Sequence, residues 1–267
     1  MGHERRAFRS RRARSPPVSR RGASRPIETS VAAGCVEDDP VVEATTRWVR
    51  SVVVGLNLCP WAGAALSGGH AKVIVHPRPD EVKEAAFMEK MLGGKVDPRG
   101  LGPDGKVRES GEIGDDPRAS VIALISATAA EARALSELPA PESSNATTLV
   151  VARPPLLEDF QEYLGVVEAV EEVIEASGLR GKVQVATFHP NYRFEGADED
   201  DASNYTNRSP YPILHLLLEA QVASAIGSVD DTSTIWRKNI ETTRELGAEA
   251  MRRAVDKCRR TPSTSEG

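Results

Sequence analysis

The sequence predicts an α/β fold, in which a single domain holds a largely parallel or mixed sheet of three to five strands flanked by helices. Two observations support this prediction. Short runs rich in β-branched residues alternate with longer segments of helical character, as in β-α-β units. Apolar residues occupy 40% of the 267 positions, which is enough for one hydrophobic core.

Four short apolar runs are expected to form the strands. Three of them end at an X-Pro pair. Proline ends a strand because it cannot donate a hydrogen bond to the ladder. The predicted strands are Ala71–His76, Ser120–Ser126, Thr147–Ala152 and Lys182–Phe188.

Five segments are expected to be helical. The clearest is Leu156–Ser177, whose apolar residues recur every three or four positions. Another begins at Pro40, because the preceding Asp39 is a good N-cap and proline is favoured in the first turn. The other predicted helices are Asp80–Leu92, Ala129–Leu138 and Ile213–Ile226.

Three segments are expected to lie outside the folded core. Residues 1–36 are predicted to be a disordered basic extension, since positions 1–34 hold nine arginines against two glutamates and almost no periodic apolar residues. The domain is expected to span residues 37–258, with a flexible Gly- and Pro-rich insertion at 93–119. Residues 259–267 are expected to form a disordered tail.

The basic extension fits an organellar transit peptide, because it is rich in arginine and serine and poor in acidic residues. An unprocessed basic tail fits the same composition equally well. The protein is expected to be soluble, in a plastid or mitochondrion in the first case and in the cytoplasm in the second.

Charge and composition argue against several classes of protein. Without residues 1–34 the chain carries a net charge of −12, so nucleic-acid binding by the folded part is not expected. No apolar run reaches the ~18 residues of a membrane span, so no membrane partner is expected. Cys35, Cys59 and Cys258 lie far apart without a C-x-x-C pair, which excludes a disulfide framework and a cysteine zinc ribbon.

Three basic side chains are expected to share one edge of the sheet. His76, Arg153 and His189 each stand directly before a proline at the end of a predicted strand. If the strands are parallel, these residues lie at the carboxyl edge, where open α/β sheets bind ligands. The alternative is that proline only terminates each strand and that the shared basic residues are coincidental.

The polar segment 189–212 is the strongest candidate for a functional site. It holds three of the four tyrosines of the chain, and a disordered segment would be poor in aromatic residues, so an ordered loop is expected. His189 is the candidate general acid or base. The candidate substrate-binding residues are Arg208, Asn207, Asn204, Tyr205, Ser209 and His215.

A small anionic molecule is the expected ligand of this segment. Arg208 stands beside the predicted helix start near Pro212, and a helix N-terminus binds anions through its free N–H groups. The alternative is that Arg208 pairs with Asp200 or Asp201 and only holds the loop in place.

Cys59 is the candidate nucleophile. If a helix begins at Pro60, Cys59 is its N-cap and the thiol lies at the positive end of the helix dipole. The alternative is a small buried residue in a helix–helix turn. A metal site built from His189, His215 and a loop carboxylate is a weaker possibility, since no metal-ligand spacing occurs; the cofactor is left open.

Several strings in this chain match a known pattern. They are Gly55-Leu-Asn-Leu-Cys-Pro-Trp, Ala186-Thr-Phe-His-Pro-Asn-Tyr-Arg-Phe, Asn204-Tyr-Thr-Asn-Arg-Ser-Pro-Tyr-Pro, His215-Leu-Leu and Asn239-Ile240. Together they resemble the family catalogued as domain of unknown function 1415, over roughly Val41 to Gly247.

The resemblance implies motif positions but brings no assigned reaction. Those positions are Cys59, His189, Asn204, Asn207, Arg208 and His215. This chain departs from the family at Leu218, where members usually have arginine, and by its basic extension and Gly-rich insertion. The missing arginine weakens any anion site that would rely on it.

Three functions stay open at this point. The favoured one is a small-molecule enzyme that acts on an anionic substrate, with His189 and Cys59 as its catalytic residues. The alternatives are a non-catalytic module that binds an anion or a metal, and a structural or interaction domain in which the polar segment braces the core.

Overall fold

A computed structural model describes residues 39–91, 117–139, 145–227 and 233–260 of the chain. The helices are α1 (Pro40–Trp48), α2 (Ala62–Ser67), α3 (Pro79–Met91), α4 (Pro117–Ser136), α5 (Phe160–Ala176), α6 (Glu219–Gly227), α7 (Ser233–Leu246) and α8 (Ala248–Arg259). The strands are β1 (Ala71–His76), β2 (Thr147–Ala152), β3 (Val183–Phe188) and β4 (Ile213–Leu218). A π-helical segment, Val49–Val54, continues α1, and a short 3-10 helix spans Ala202–Thr206.

The strands form one mixed sheet in the order β1-β2-β4-β3. β1 and β2 are parallel, whereas β4 runs antiparallel to both β2 and β3. The strands β1, β2 and β3 therefore point the same way, and their carboxyl ends lie at one edge. The predicted α/β fold with a parallel or mixed sheet is confirmed, and so are three of the four predicted strands.

The fourth predicted strand, Ser120–Ser126, is wrong. These residues belong to α4, a helix of 20 residues that also contains the predicted helix Ala129–Leu138 except for its last residues. A short apolar run fits a buried strand and a buried helix equally well. The alanines that follow it favour the helix, because alanine has the highest helix propensity.

The predicted helix Ile213–Ile226 is also wrong in its first half. Ile213–Leu218 forms β4, between β2 and β3, and helix α6 begins only at Glu219. A central strand is covered on both faces, so it tolerates consecutive apolar residues. The run Ile-Leu-His-Leu-Leu-Leu therefore carries no alternation that would distinguish it from a helix.

Two hydrophobic cores cover the two faces of the sheet. The first core packs α4 and α5 against Ile74, Val150, Leu214 and Leu216. The second core packs α1, the π-helical segment and α8 against the sheet residues Val75, Leu149, Val151 and Ile213. Alternate residues of a strand point to opposite faces, which explains why Leu149 and Val150 lie in different cores.

Helix caps follow the local sequence. Asp39 accepts a hydrogen bond from the amide of Val41 at 2.9 Å, which confirms the predicted start of α1. Asp159 caps α5 in the same way, so that this helix begins at Phe160 rather than at the predicted Leu156. The two prolines at 154 and 155 and the left-handed backbone of Leu157 (φ 61°) keep the preceding residues out of the helix.

Helix α4 is long and apolar enough to cross a membrane when judged by length and composition alone, which is weak support for a span. Its buried residues recur on one side and include Ala123, Leu124, Ala132 and Leu135. Three of these, Leu124, Ala132 and Leu135, belong to the first core.

Several predicted boundaries lie outside the described residues. The structure describes nothing of residues 1–38, most of the insertion predicted at 93–119, or residues 261–267. Where the prediction and the described residues overlap, two differences appear. Residues 117–119 begin α4, and Arg259 is the last residue of α8 rather than part of a tail.

Candidate functional site

The predicted sheet edge exists. His76 ends β1, Arg153 directly follows β2, and His189 directly follows β3, and these three strands are parallel to one another. Nδ1 of His76 lies 2.7 Å from the Glu81 carboxylate. Arg153 donates to the carbonyl of Pro77 at 3.1 Å and forms an ion pair with Asp39 at 3.2 Å.

His189 is completely buried. The amide of Asn191 donates to its Nδ1 at 3.0 Å, so the ring hydrogen is on Nε2, which donates to the carbonyl of Leu157 at 2.9 Å. The ring packs against Phe160 and Tyr163. Burial is the largest influence on this imidazole and lowers the pKa of His189. Both nitrogens are therefore engaged within the protein.

The two motif asparagines hold the polar loop, residues 189–212, in its conformation. Asn204 is completely buried; its Oδ1 accepts from the amide of Phe194 at 3.1 Å, and its Nδ2 donates to the carbonyls of Asp198 and Glu199. The Nδ2 of Asn207 donates to the carbonyl of Thr187 at 3.0 Å. The loop is ordered, as the aromatic content predicts.

Arg208 is also bound to the loop. Its Nε donates to the carbonyl of Tyr192 at 3.0 Å and one terminal nitrogen to that of Glu199 at 2.9 Å. The guanidinium lies over the ring of Tyr205, 4.7 Å from its centre. The hydroxyl of the buried Ser209 donates to the carbonyl of Tyr211.

Two expectations about Arg208 are wrong. β4 rather than a helix begins at Ile213, so no helix N-terminus stands beside the guanidinium. Asp201 forms its ion pair with Arg244 of α7 at 2.8 Å, not with Arg208. The hydrogen bond from Arg244 is the main reason why the pKa of Asp201 lies well below its usual value.

A cavity, here named the inner cavity, lies on the face of the sheet that holds the second core. Its volume is about 320 Å³, at the lower end of the range for small-molecule sites. The floor is made by alternate residues of three strands, namely Thr147, Leu149, Gln184, Ala186, Phe188, His215 and Leu217. The walls come from α1 and its π-helical segment, from α2 with the turn before it, and from α6.

His215 lies on this floor. The Thr147 hydroxyl donates to the carbonyl of Leu216 at 2.8 Å, and since it has one hydrogen it must accept from the Nε2–H of His215. Nδ1 is therefore the unprotonated nitrogen, and it has no hydrogen-bond partner among the described residues. Burial lowers the pKa of His215 to about 4, so the ring is neutral at pH 7.

Cys59 is half-buried and lines the same cavity as His215. The predicted N-cap position is wrong: the helix α2 begins at Ala62, and Trp61 is its N-cap. A residue of α7 holds the turn that carries the thiol: the side-chain Nδ2 of Asn239 donates a hydrogen bond to the carbonyl of Leu58 at 2.6 Å. Asn239 is itself one of the motif residues.

Two further residues of the wall carry a buried polar group without a partner in the described part of the chain. The indole N–H of Trp48 and the amide nitrogen of Gln221 are buried, and neither has an acceptor among the described residues. Sequence reasoning missed both, together with Thr147. Gln221 could have been noticed, because it is one of only a few polar residues in the apolar stretch Ile213–Ile226.

The structure thus divides the sequence-predicted site residues into two groups. His189, Asn204, Tyr205, Asn207, Arg208 and Ser209 belong to the polar loop at the sheet edge. Cys59 and His215 line the inner cavity, whose wall contains none of the loop residues just named. In the described ranges, no three His, Cys, Asp or Glu side chains are grouped so that they could hold a metal ion.

Fold and site together define a mixed-sheet α/β protein with a braced polar loop at one sheet edge and an apolar cavity on one sheet face. The chain belongs to the family described as protein of unknown function (DUF1415), whose model matches residues 116–253, just over half of the sequence. The predicted family is therefore confirmed. No curated protein and no solved structure matches the chain.

Proposed function

We propose that this protein binds a small, largely apolar molecule in the inner cavity, with Cys59 as the side chain that can react with it. The proposal rests on one observation: a thiol and an imidazole from distant parts of the chain line one cavity of small-molecule size. The family resemblance implies that both are motif positions. Small-molecule sites are usually concave pockets lined mainly by apolar side chains with a few polar groups, and this cavity has that character.

The expected anionic substrate does not suit this cavity. Among the described residues its wall contains no Asp, Glu, Lys or Arg side chain, and His215 is neutral at pH 7. An anion here would lose its hydration without gaining a counter-ion. The substrate roles predicted for His189 and for Arg208 with its neighbours stay a proposal for the sheet edge, and phosphate binding tests them as described in the Discussion.

A thiol-dependent enzyme is a second candidate, favoured by the shared wall of Cys59 and His215. In such an enzyme the Cys59 thiol would attack a carbonyl carbon of the ligand. As the sulfur–carbon bond forms, the C=O π bond would break and the oxygen would take up its electron pair, while Nδ1 of His215 would receive the thiol proton. With a pKa of about 4, the ring of His215 is a weak base and would take up a thiol proton poorly. Binding is therefore the stronger of the two proposals.

Thiol alkylation of the full chain tests both candidates. Iodoacetamide should modify Cys59 faster than Cys258, which is buried and contacts Ser51 and the carbonyl of Ala254. An apolar occupant such as butylbenzene should slow the modification of Cys59, as measured by mass spectrometry of the two peptides, and leave Cys258 unaffected. Unchanged alkylation at saturating butylbenzene contradicts binding in the cavity. Rapid alkylation of Cys59 below pH 7 would support the enzyme, since only an activated thiol reacts there.

A further inference from the structure

The polar groups in the cavity wall indicate what kind of small molecule fits it. We propose that the ligand is an uncharged apolar compound that carries a carbonyl oxygen, which accepts hydrogen bonds from Trp48 and Gln221. This inference rests on the proposed function, because it assumes that the cavity is the binding site. It adds the chemical class of the ligand.

Charge is the first argument. An ionised group loses far more on entering an apolar site than a neutral one, unless an opposite charge or several hydrogen bonds compensate. The described part of the cavity wall offers neither an acidic nor a basic side chain, and the imidazole of His215 is held neutral by its surroundings. Carboxylates, phosphates and amines are therefore disfavoured as ligands.

Unpartnered donors are the second argument. Trp48 is 2% exposed, and its indole N–H has no acceptor among the described residues. Its ring packs at 70° to Phe188, but an aromatic face is a much weaker acceptor than a carbonyl oxygen. A buried donor without a partner costs free energy that a ligand oxygen would recover.

Gln221 supplies a second donor from another element. Its amide nitrogen is buried without a partner, and the residue lies on α6, whereas Trp48 lies on α1. A carbonyl oxygen has two lone pairs, and therefore has the capacity for two such hydrogen bonds. The rest of the ligand would contact the apolar side chains of the wall, among them Val49, Leu66 and Val222.

Three probes of nearly equal shape separate these arguments. They are the neutral ketone 4-phenylbutan-2-one, the carboxylate 3-phenylpropanoate and the hydrocarbon butylbenzene. Each is titrated into the full-length protein labelled with nitrogen-15, and the indole N–H signals are followed by NMR. The signals are assigned with the variants Trp48→Phe, Trp61→Phe and Trp236→Phe.

The ketone should bind most tightly and move the Trp48 indole signal downfield, as expected for a new hydrogen bond. Trp48→Phe and Gln221→Leu should each weaken ketone binding roughly 5-fold and leave butylbenzene binding within about 2-fold, because one neutral hydrogen bond is lost. Gln161→Leu is the matched control, since Gln161 is exposed on α5 away from the cavity wall. If Trp48→Phe does not fold, the half-buried Gln221 still provides the comparison.

The possible failures are distinguishable. Equal affinities for ketone and carboxylate overturn the uncharged class, and equal affinities for ketone and butylbenzene with an unmoved Trp48 signal overturn the carbonyl. In both cases binding itself would persist and the proposed function would stand. If none of the three probes binds, the cavity is not a site for such molecules, and both proposals fail.

Discussion

The polar loop and the inner cavity use their polar atoms in opposite ways. In the loop, the side chains of Asn204 and Arg208 are bonded to backbone groups of the loop itself, and that of His189 to the carbonyl of Leu157, so these residues hold one conformation. In the cavity, Trp48, Gln221 and His215 each keep a polar atom without a partner among the described residues. A region rich in polar residues can therefore be structural, whereas a mostly apolar one can leave polar groups without a partner.

The variant Asn204→Ala tests this comparison and has the largest expected effect on stability. Asn204 is completely buried and makes three hydrogen bonds, so its loss leaves one backbone amide and two carbonyls without their partner. We expect about 3 kcal/mol lower free energy of unfolding, measured by urea denaturation. Asn191→Ala is the control, because Asn191 is exposed and should change stability by less than about 0.5 kcal/mol. Equal effects of the two variants would show that the loop is not braced by its asparagine.

A second test uses the dependence of stability on pH. The folded pKa of His215 is about 4, whereas the unfolded value is about 6.5, so between these values the unfolded chain binds a proton that the folded chain does not. Stability should therefore fall as the pH drops below 6.5, and His215 should account for about 2 kcal/mol between pH 7.5 and pH 5. His189, whose pKa is lowered in the same direction, adds to the loss.

The variant His215→Leu isolates this contribution. It should unfold with a shallower loss of stability toward acid than the wild type, measured by chemical denaturation at both pH values. The same acid sensitivity in both proteins would show that the imidazole on the cavity floor is not held neutral.

A third test addresses Arg208, for which the brace and the anion site make different predictions. If Arg208 is a brace, Arg208→Ala should lower the free energy of unfolding by about 1–2 kcal/mol, because two carbonyls lose their charged donor. Phosphate should then not change the melting temperature. If Arg208 is part of an anion site, phosphate should raise the melting temperature of the wild type. Arg208→Ala should then abolish that effect and change the free energy of unfolding little. The geometry leads us to expect the brace. Arg193→Ala, at an exposed position of the same loop, is the control.

The smallest expected effect is that of filling the cavity. Ala186 lies on the cavity floor, so Ala186→Leu should change the free energy of unfolding by less than about 1 kcal/mol while excluding butylbenzene. Ala123 is buried on α4 against Val82 and Ala119, so Ala123→Leu should lower the free energy of unfolding by about 1–3 kcal/mol through overpacking. Thermal unfolding of both variants checks the contrast. A large loss from Ala186→Leu would show that the cavity lacks the room described.

Local sequence was sufficient for much of the fold. Asp39 before Pro40 determines the start of α1, and the apolar stripe after Asp159 determines α5, because caps and helical spacing act within one or two turns. The Val-rich runs before His76, Arg153 and His189 form parallel strands, as predicted, and place these residues at one edge. The motif strings were sufficient to identify the family.

The tertiary structure decided what short-range patterns leave open. Ile213–Leu218 became a strand and Ser120–Ser126 became part of a helix, because a short apolar run without alternation fits either structure until its neighbours in the fold select one. The partners of His189 and His215 lie 32 and 68 residues away in the chain, at Leu157 and Thr147. Such distant contacts decide whether a histidine stabilises a loop or lines a cavity. The sequence determined which residues are special, and only the packing of the sheet determined which of them face an open space.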